Sequence, residues 1–142
     1  MPMNKALMKT IGAIHRSLYQ LTNGMIGANL GGRSMVLLTT TGRKSGKQRT
    51  TPIQYMKDGE YIIIVASNGG NVNHPAWWHN ISANPDVTVQ IGKKKMLARA
   101  ESADDEERAR LWPLLVDINP DYQAFDEETE RTIPVVIVRP DA

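Results

Sequence analysis

The sequence predicts a small antiparallel β-barrel carrying a few helices, and three observations lead there. Short β-branched runs recur at hairpin spacing along most of the chain. Two-residue turn signals, Asp58-Gly59 and Gly92-Lys93, join consecutive runs. Helical periodicity is confined to a few stretches, which argues against alternating βαβ units. With 142 residues the chain is long enough for one sizeable core.

Residues 4–21 are expected to form a helix, because Leu7, Met8, Ile11, Ile14, Leu18 and Leu21 recur at helical spacing. Lys5, Lys9, His15 and Arg16 fall largely between them. This pattern suits a surface helix packed on the core, or a basic amphipathic helix lying on an anionic membrane. The first is preferred because few bulky aromatics sit on the apolar face. Residues 23–33 carry Gly24, Gly27, Gly31 and Gly32 and read as a linker. Residues 1–34 are therefore expected to be helix and linker, and residues 35–142 the barrel domain.

Strands follow at 35–40 and 50–56. Pro52 inside the second implies an edge, a bulge or a strand start, since proline cannot donate to a ladder. Asp58-Gly59 leads into a strand at 61–65. Residues 75–83 can form a helix with Pro75 near its first turn and Asn84-Pro85 at its end. A hairpin is expected from 86–91 and 95–100. Ser102-Ala-Asp-Asp105 resembles a capping box, opening a helix that turns Leu111, Trp112, Leu115 and Val116 toward the core. Tyr122 and Phe125 fall in a short helical stretch or loop after Pro120, and residues 133–138 form a last β-branched strand.

Composition narrows the function. A net charge of +2 gives little support to a nucleic-acid coat. Zero cysteines exclude disulfides, thiolate metal sites and cysteine nucleophiles, and fit a reducing, cytoplasmic setting. No signal peptide or membrane-spanning run is visible.

The densest chemistry lies in residues 42–49, GRKSGKQR. Four cations and two glycines share one turn between strands. Arg43 and Arg49 can fork onto phosphate or carboxylate oxygens, Lys44 and Lys47 add point charges, and Ser45, Thr50 and Thr51 add hydroxyl donors. The turn reads as a concave anion site or as a solvated hairpin tip. It is not a phosphate-binding P-loop, because the glycine spacing is too short and a strand follows. Ala66-Ser67-Asn68-Gly69-Gly70 ends a strand with small residues, either as a plain turn or as a place where a planar ligand lies against backbone. Asn73-His74-Pro75-Ala76-Trp77-Trp78-His79-Asn80 sets adjacent tryptophans on different helix sides, one for the core and the other to line a pocket or cap the barrel. His74 and His79 lack the spacing of a metal pair and are expected to be packed or hydrogen-bonded. Tyr122 and Phe125 form an aromatic wall or core packing, and on spacing alone core packing is favoured. The clustered acidic residues read as solvated helix ends.

Together, LLTTTGRKSGKQRTTP, ASNGG, HPAWWHNISANP, DEERARLWP, PDYQ and RTIPVVIVRP resemble the deazaflavin-dependent nitroreductase family, in order from Met35 to Pro140. The resemblance implies a split β-barrel related to flavin-binding reductases. It also implies coenzyme F420, an 8-hydroxy-5-deazaflavin with a phospholactyl-oligoglutamate tail, with FMN as the alternative. By resemblance Arg43, Lys44, Ser45 and Arg49 hold the tail, and Thr50, Thr51, Pro52, Ile53 and Gln54 continue the wall. Val65, Ala66, Ser67 and Asn68 run beside the ring, and Ala76, Trp77, Trp78, His79 and Asn80 close the other side. Tyr122 faces the substrate side. The implied chemistry is hydride transfer to a quinone, activated enone or nitroaromatic. Ser67 and Tyr122 are the candidates for hydrogen-bonding the acceptor oxygen. The nitroimidazole-reducing members carry three lid tyrosines, whereas only Tyr122 stands here, flanked by Asn119 and Phe125, and Asn68 follows Ser67. A quinone or enone is therefore the safer expectation. A non-catalytic deazaflavin or acyl-ligand carrier is the competing reading. A nucleic-acid module lacks a reading motif. A homodimer and peripheral membrane contact stay open.

Overall fold

The computed structural model describes residues 5–21, 29–30 and 33–141, with side chains at 6–17 and 34–141. Eight antiparallel strands form one sheet: β1 (Asn29–Leu30), β2 (Arg33–Thr41), β3 (Gln48–Gln54), β4 (Met56–Asp58), β5 (Tyr61–Val65), β6 (Asp86–Ile91), β7 (Lys94–Ser102) and β8 (Val135–Pro140). Among the described residues four α-helices accompany them: α1 (Lys5–Leu21), α2 (Ala76–Ala83), α3 (Asp105–Ile118) and α4 (Asp121–Glu128).

The sheet order is β1-β2-β6-β7-β8-β5-β4, with β3 also paired to β2. β3 and β4 are separated only by Tyr55, whose N–H donates to the Ser34 carbonyl at 3.0 Å. One bent segment therefore borders β2 at one edge of the sheet and β5 at the other, and the sheet curls to bring those edges together. Pro52 lies opposite Leu37 on the edge strand β3, where its missing N–H leaves no ladder bond unmade on the open side.

Alternation along the strands builds two cores. Inward residues Val36, Leu38, Ile62, Ile64, Val89, Ala100, Val136 and Val138 fill the barrel, and Trp77 and Ile81 of α2, four apart, plug one end. Outward residues Ile63, Val65, Val135 and Ile137 meet Leu111 and Leu115 of α3 and Tyr122 of α4.

Several boundaries differ from the sequence expectation. The expected linker lies mostly outside the described residues; its described part is β1 and the start of β2. The expected strand 50–56 begins at Gln48 and breaks at Tyr55. Asp58 pairs with Tyr61, so the turn is Gly59-Glu60, with Gly59 at φ +62°. The turn at Gly92-Lys93 is where the sequence puts it. The capping box sits two residues later than expected. Asp104 Oδ1 accepts from the Glu107 N–H at 2.8 Å and Glu107 Oε1 from the Asp104 N–H. Ser102 pairs with Val136 and Ala103 N–H bonds the Val135 carbonyl, so the ladder holds the chain extended until Asp104. The last strand starts at Val135, after Pro134.

α1 departs most from the preferred reading. Its Leu7, Ile11 and Ile14 are 51%, 47% and 58% exposed, so part of its apolar stripe does not face the core. Instead α1 packs on β3, with Arg16 Nη1 donating to the Thr50 carbonyl at 3.3 Å. Nearer its start, the Met8 sulfur accepts from Asn71 Nδ2 at 3.4 Å. The helix thus reaches from β3 to the turn that follows β5. No helix among the described residues is long and apolar enough to cross a membrane.

Candidate cofactor site

The turn between β2 and β3 is tightly made. Gly42 N–H bonds the Lys47 carbonyl at 2.7 Å, and Gly46 N–H bonds the Gly42 carbonyl at 2.8 Å. Lys47 N–H donates to Ser45 Oγ at 3.1 Å, and Gly46 sits at φ +72°. A Cβ on Gly42 would lie 2.8 Å from Ser45 Oγ and 3.1 Å from the Lys47 carbonyl, so any side chain there crowds the closed turn. Arg43, Lys44, Lys47 and Arg49 form no ion pair among the described residues. Four exposed cations without carboxylates are poised for an anion from outside.

Asn80 joins this turn to α2. Its Oδ1 accepts the Arg43 N–H at 3.0 Å and its Nδ2 donates to Thr40 Oγ1 at 3.0 Å. The two tryptophans of α2 divide as expected. Trp77 enters the barrel core, whereas Trp78 is half-buried and stacks on His74 with centroids 4.2 Å apart. His79 meets the Trp78 ring edge-on at 5.2 Å. Desolvation, then Arg131, then His79 hold His74 below the usual imidazole range; desolvation and Arg43 do the same for His79. Both rings are therefore neutral at pH 7, and no metal-binding cluster occurs among the described residues. The buried Trp78 Nε1–H has no hydrogen-bond partner among the described residues.

The strand end after β5 is held by a residue the sequence reading missed. Arg131 Nη2 donates to the Ser67 carbonyl at 2.6 Å, Nη1 to the Ala66 carbonyl at 3.1 Å, and Nε to the Asn71 carbonyl at 3.0 Å. Nη1 also lies 3.0 Å from His74 Nδ1, which accepts in the neutral ring. No spacing rule points from Arg131 to residues more than fifty positions earlier; only the fold joins them. Ser67 is half-buried, and its hydroxyl has no hydrogen-bond partner among the described residues.

The expected contact set divides by strand face. Val65 and Ala66 point into the two cores, so they offer backbone alone. Ile53 packs against the barrel interior. Thr51, opposite Leu38, shares that face, whereas Thr50, Pro52 and Gln54 lie on the other. Thr50 Oγ1 bonds Thr39 Oγ1 at 2.8 Å. Asn68 donates its side-chain amide to the Asn73 carbonyl, and Ala76 is exposed. Tyr122 is 5% exposed, with its hydroxyl donating to Gln54 Oε1 at 3.2 Å, and Asn119 Nδ2 donates to the same oxygen at 2.8 Å. Tyr122 is thus docked against β3.

Residues 11–140 match the F420H2-dependent quinone reductases. The chain belongs to that family. The reductase is 40% identical over 129 residues to an F420H2-dependent quinone reductase of Mycobacterium tuberculosis, covering 88% of this chain and 87% of that one. Among solved structures it is similar to an F420H2-dependent reductase, FDR-A (42% identity, TM-score 0.68, 74% of this chain and 93% of that one). A second, described as a domain-swapped dimer, is 39% identical with TM-score 0.72, covering 89% and 94%. The reductase is a split-barrel F420-dependent oxidoreductase, and its cofactor is coenzyme F420 rather than FMN. The residues present fit that group: a basic turn without carboxylates for a phosphate and carboxylates, beside a wall whose buried Trp78 N–H has no partner among the described residues.

Proposed function

We propose that the reductase delivers the deazaflavin's hydride to a quinone. The observation that carries the reading is the bond from the Arg43 N–H to Asn80, which makes the basic turn continuous with the aromatic face of α2. When bound, coenzyme F420 supplies the hydride. Arg43, Lys44, Ser45 and Arg49 hold its phosphate and carboxylates. Thr50, Thr51, Pro52, Ile53 and Gln54 form the wall, in part through backbone. Val65 to Asn68 line one side of the ring, and Ala76 to Asn80 the other. The free Ser67 hydroxyl donates to the acceptor oxygen as charge develops. Tyr122 joins it by exchanging its bond from Gln54 to the acceptor.

The test mixes purified protein with reduced F420 and menadione and follows the return of the oxidised deazaflavin absorbance. Acceleration over a protein-free control supports the reading. No acceleration with quinones, enones and nitroaromatics alike, despite tight cofactor binding, selects the carrier reading instead.

Two assembly readings accompany this one. The domain-swapped relative supports a homodimer, checked by light scattering. The exposed Leu7, Ile11 and Ile14 beside Lys9 support peripheral contact of α1 with an anionic surface, checked by co-sedimentation with anionic and neutral vesicles.

A further inference from the structure

Arg131 carries more than packing requires. Four polar contacts converge on one guanidinium, yet every partner is neutral: the carbonyls of Ala66, Ser67 and Asn71, and the His74 ring. It forms no ion pair among the described residues, although carboxylates are plentiful in α4 and the loop that precedes it. Charged and titratable groups around it include His74, with His79 and Arg43 beyond that ring, Glu130 as its chain neighbour, and Glu128, whose carboxylate faces Gly70. Partial burial disfavours the charged form of Arg131, as expected for a cation held by dipoles alone. An arginine in this environment stays protonated at neutral pH. The strand end therefore has a fixed positive charge behind it that no ion pair among the described residues neutralises.

The fork also sets shape. It ties the two residues after β5, the turn at Asn71 and His74, two residues before α2, to a single planar group. Through His74 it fixes the ring on which Trp78 stacks. Lysine could replace the charge but not the planar fork.

We propose that Arg131 is the positioning residue of the ring site, fixing the strand end and the His74–Trp78 stack while biasing the bound deazaflavin toward its anionic form. This rests on the reading that the ring lies along Val65 to Asn68. The anion arises when the 8-hydroxyl loses its proton to solvent, with no redox change. A cation behind the strand end lowers the pKa of that hydroxyl, and its removal raises it.

The experiment is a pH titration of the oxidised cofactor's visible absorbance, free and bound to wild type, Arg131→Gln and Arg131→Lys, with affinities measured alongside. Wild type should bind F420 with the 8-hydroxyl ionising below its free value. Arg131→Gln should raise that value by about one pH unit, a tenfold change in the ionisation constant, and weaken binding at least about tenfold. Arg131→Lys should keep the lowered ionisation but lose affinity. Unchanged affinity and ionisation in Arg131→Gln would overturn the inference while leaving the cofactor site standing. If Arg131→Gln does not fold, a wild-type hydroxyl ionising at or above its free value overturns the charge role, and full affinity in Arg131→Lys overturns the positioning role. Failure of wild type to bind F420 removes the site reading, and this inference with it.

Discussion

Four cations packed into one turn repel each other, and nothing among the described residues neutralises them. Such a turn persists when its backbone bonds are good and its charges face water, and both conditions hold here. Arg43→Ala or Arg49→Ala is expected to weaken F420 binding roughly tenfold to a hundredfold. Turnover at saturating cofactor should change much less, because the tail contacts serve ground state and transition state alike. Isothermal titration and steady-state kinetics separate the two, and full affinity with lost turnover would contradict a tail-holding role. Gly42→Ala should weaken binding too, since its Cβ must push Ser45 Oγ aside and press the Lys47 carbonyl that closes the turn. Its melting temperature compared with its cofactor affinity separates a local effect from a global one. The basic turn and the split of Trp77 from Trp78 were legible in sequence, because local residue chemistry decides them. Arg131 was not, because its partners are brought to it by the pairing of β5 with β8.

The helices illustrate how tertiary structure moves a local signal. Asp104 and Glu107 form a reciprocal cap, whereas the sequence pattern pointed to Ser102 as the opening residue. β7 decides between them by holding Ser102 in the ladder. Asp104→Ala should cost about 1 kcal/mol in denaturant unfolding, whereas Ser102→Ala should have little effect on the helix. Leu115 of α3 is fully buried against the outer face of the sheet. Leu115→Ala should cost about 2–5 kcal/mol through lost burial and the cavity left behind. The division of β3 from β4 escaped the sequence reading, because Tyr55 is an ordinary strand residue and only curling of the sheet demands a break there. The exposed stripe of α1 escaped it as well, since periodicity reports that a face is apolar but not what covers it.

For the whole molecule, the antiparallel barrel followed from hairpin spacing, while its closure through a single bent segment did not. The two neutral histidines tie global stability to pH. Each has a folded pKa depressed below its unfolded value, so the unfolded chain takes up protons first. Stability should be full above about pH 6.5 and fall as the pH drops from there through the lowered folded values. Thermal melts from pH 7.5 to 5 should show the decline, and His74→Gln should reduce its slope; an unaltered slope would assign the loss to other groups. The placement of the three tryptophans has an optical consequence. Trp77 is sealed in the barrel, Trp112 lies beneath Arg108 beside the outer core, and Trp78 alone faces the aromatic end of α2. Their emission therefore comes from three separate environments. With Trp77 and Trp112 replaced by phenylalanine, the fluorescence of Trp78 would report ligand arrival in real time, without any dye attached.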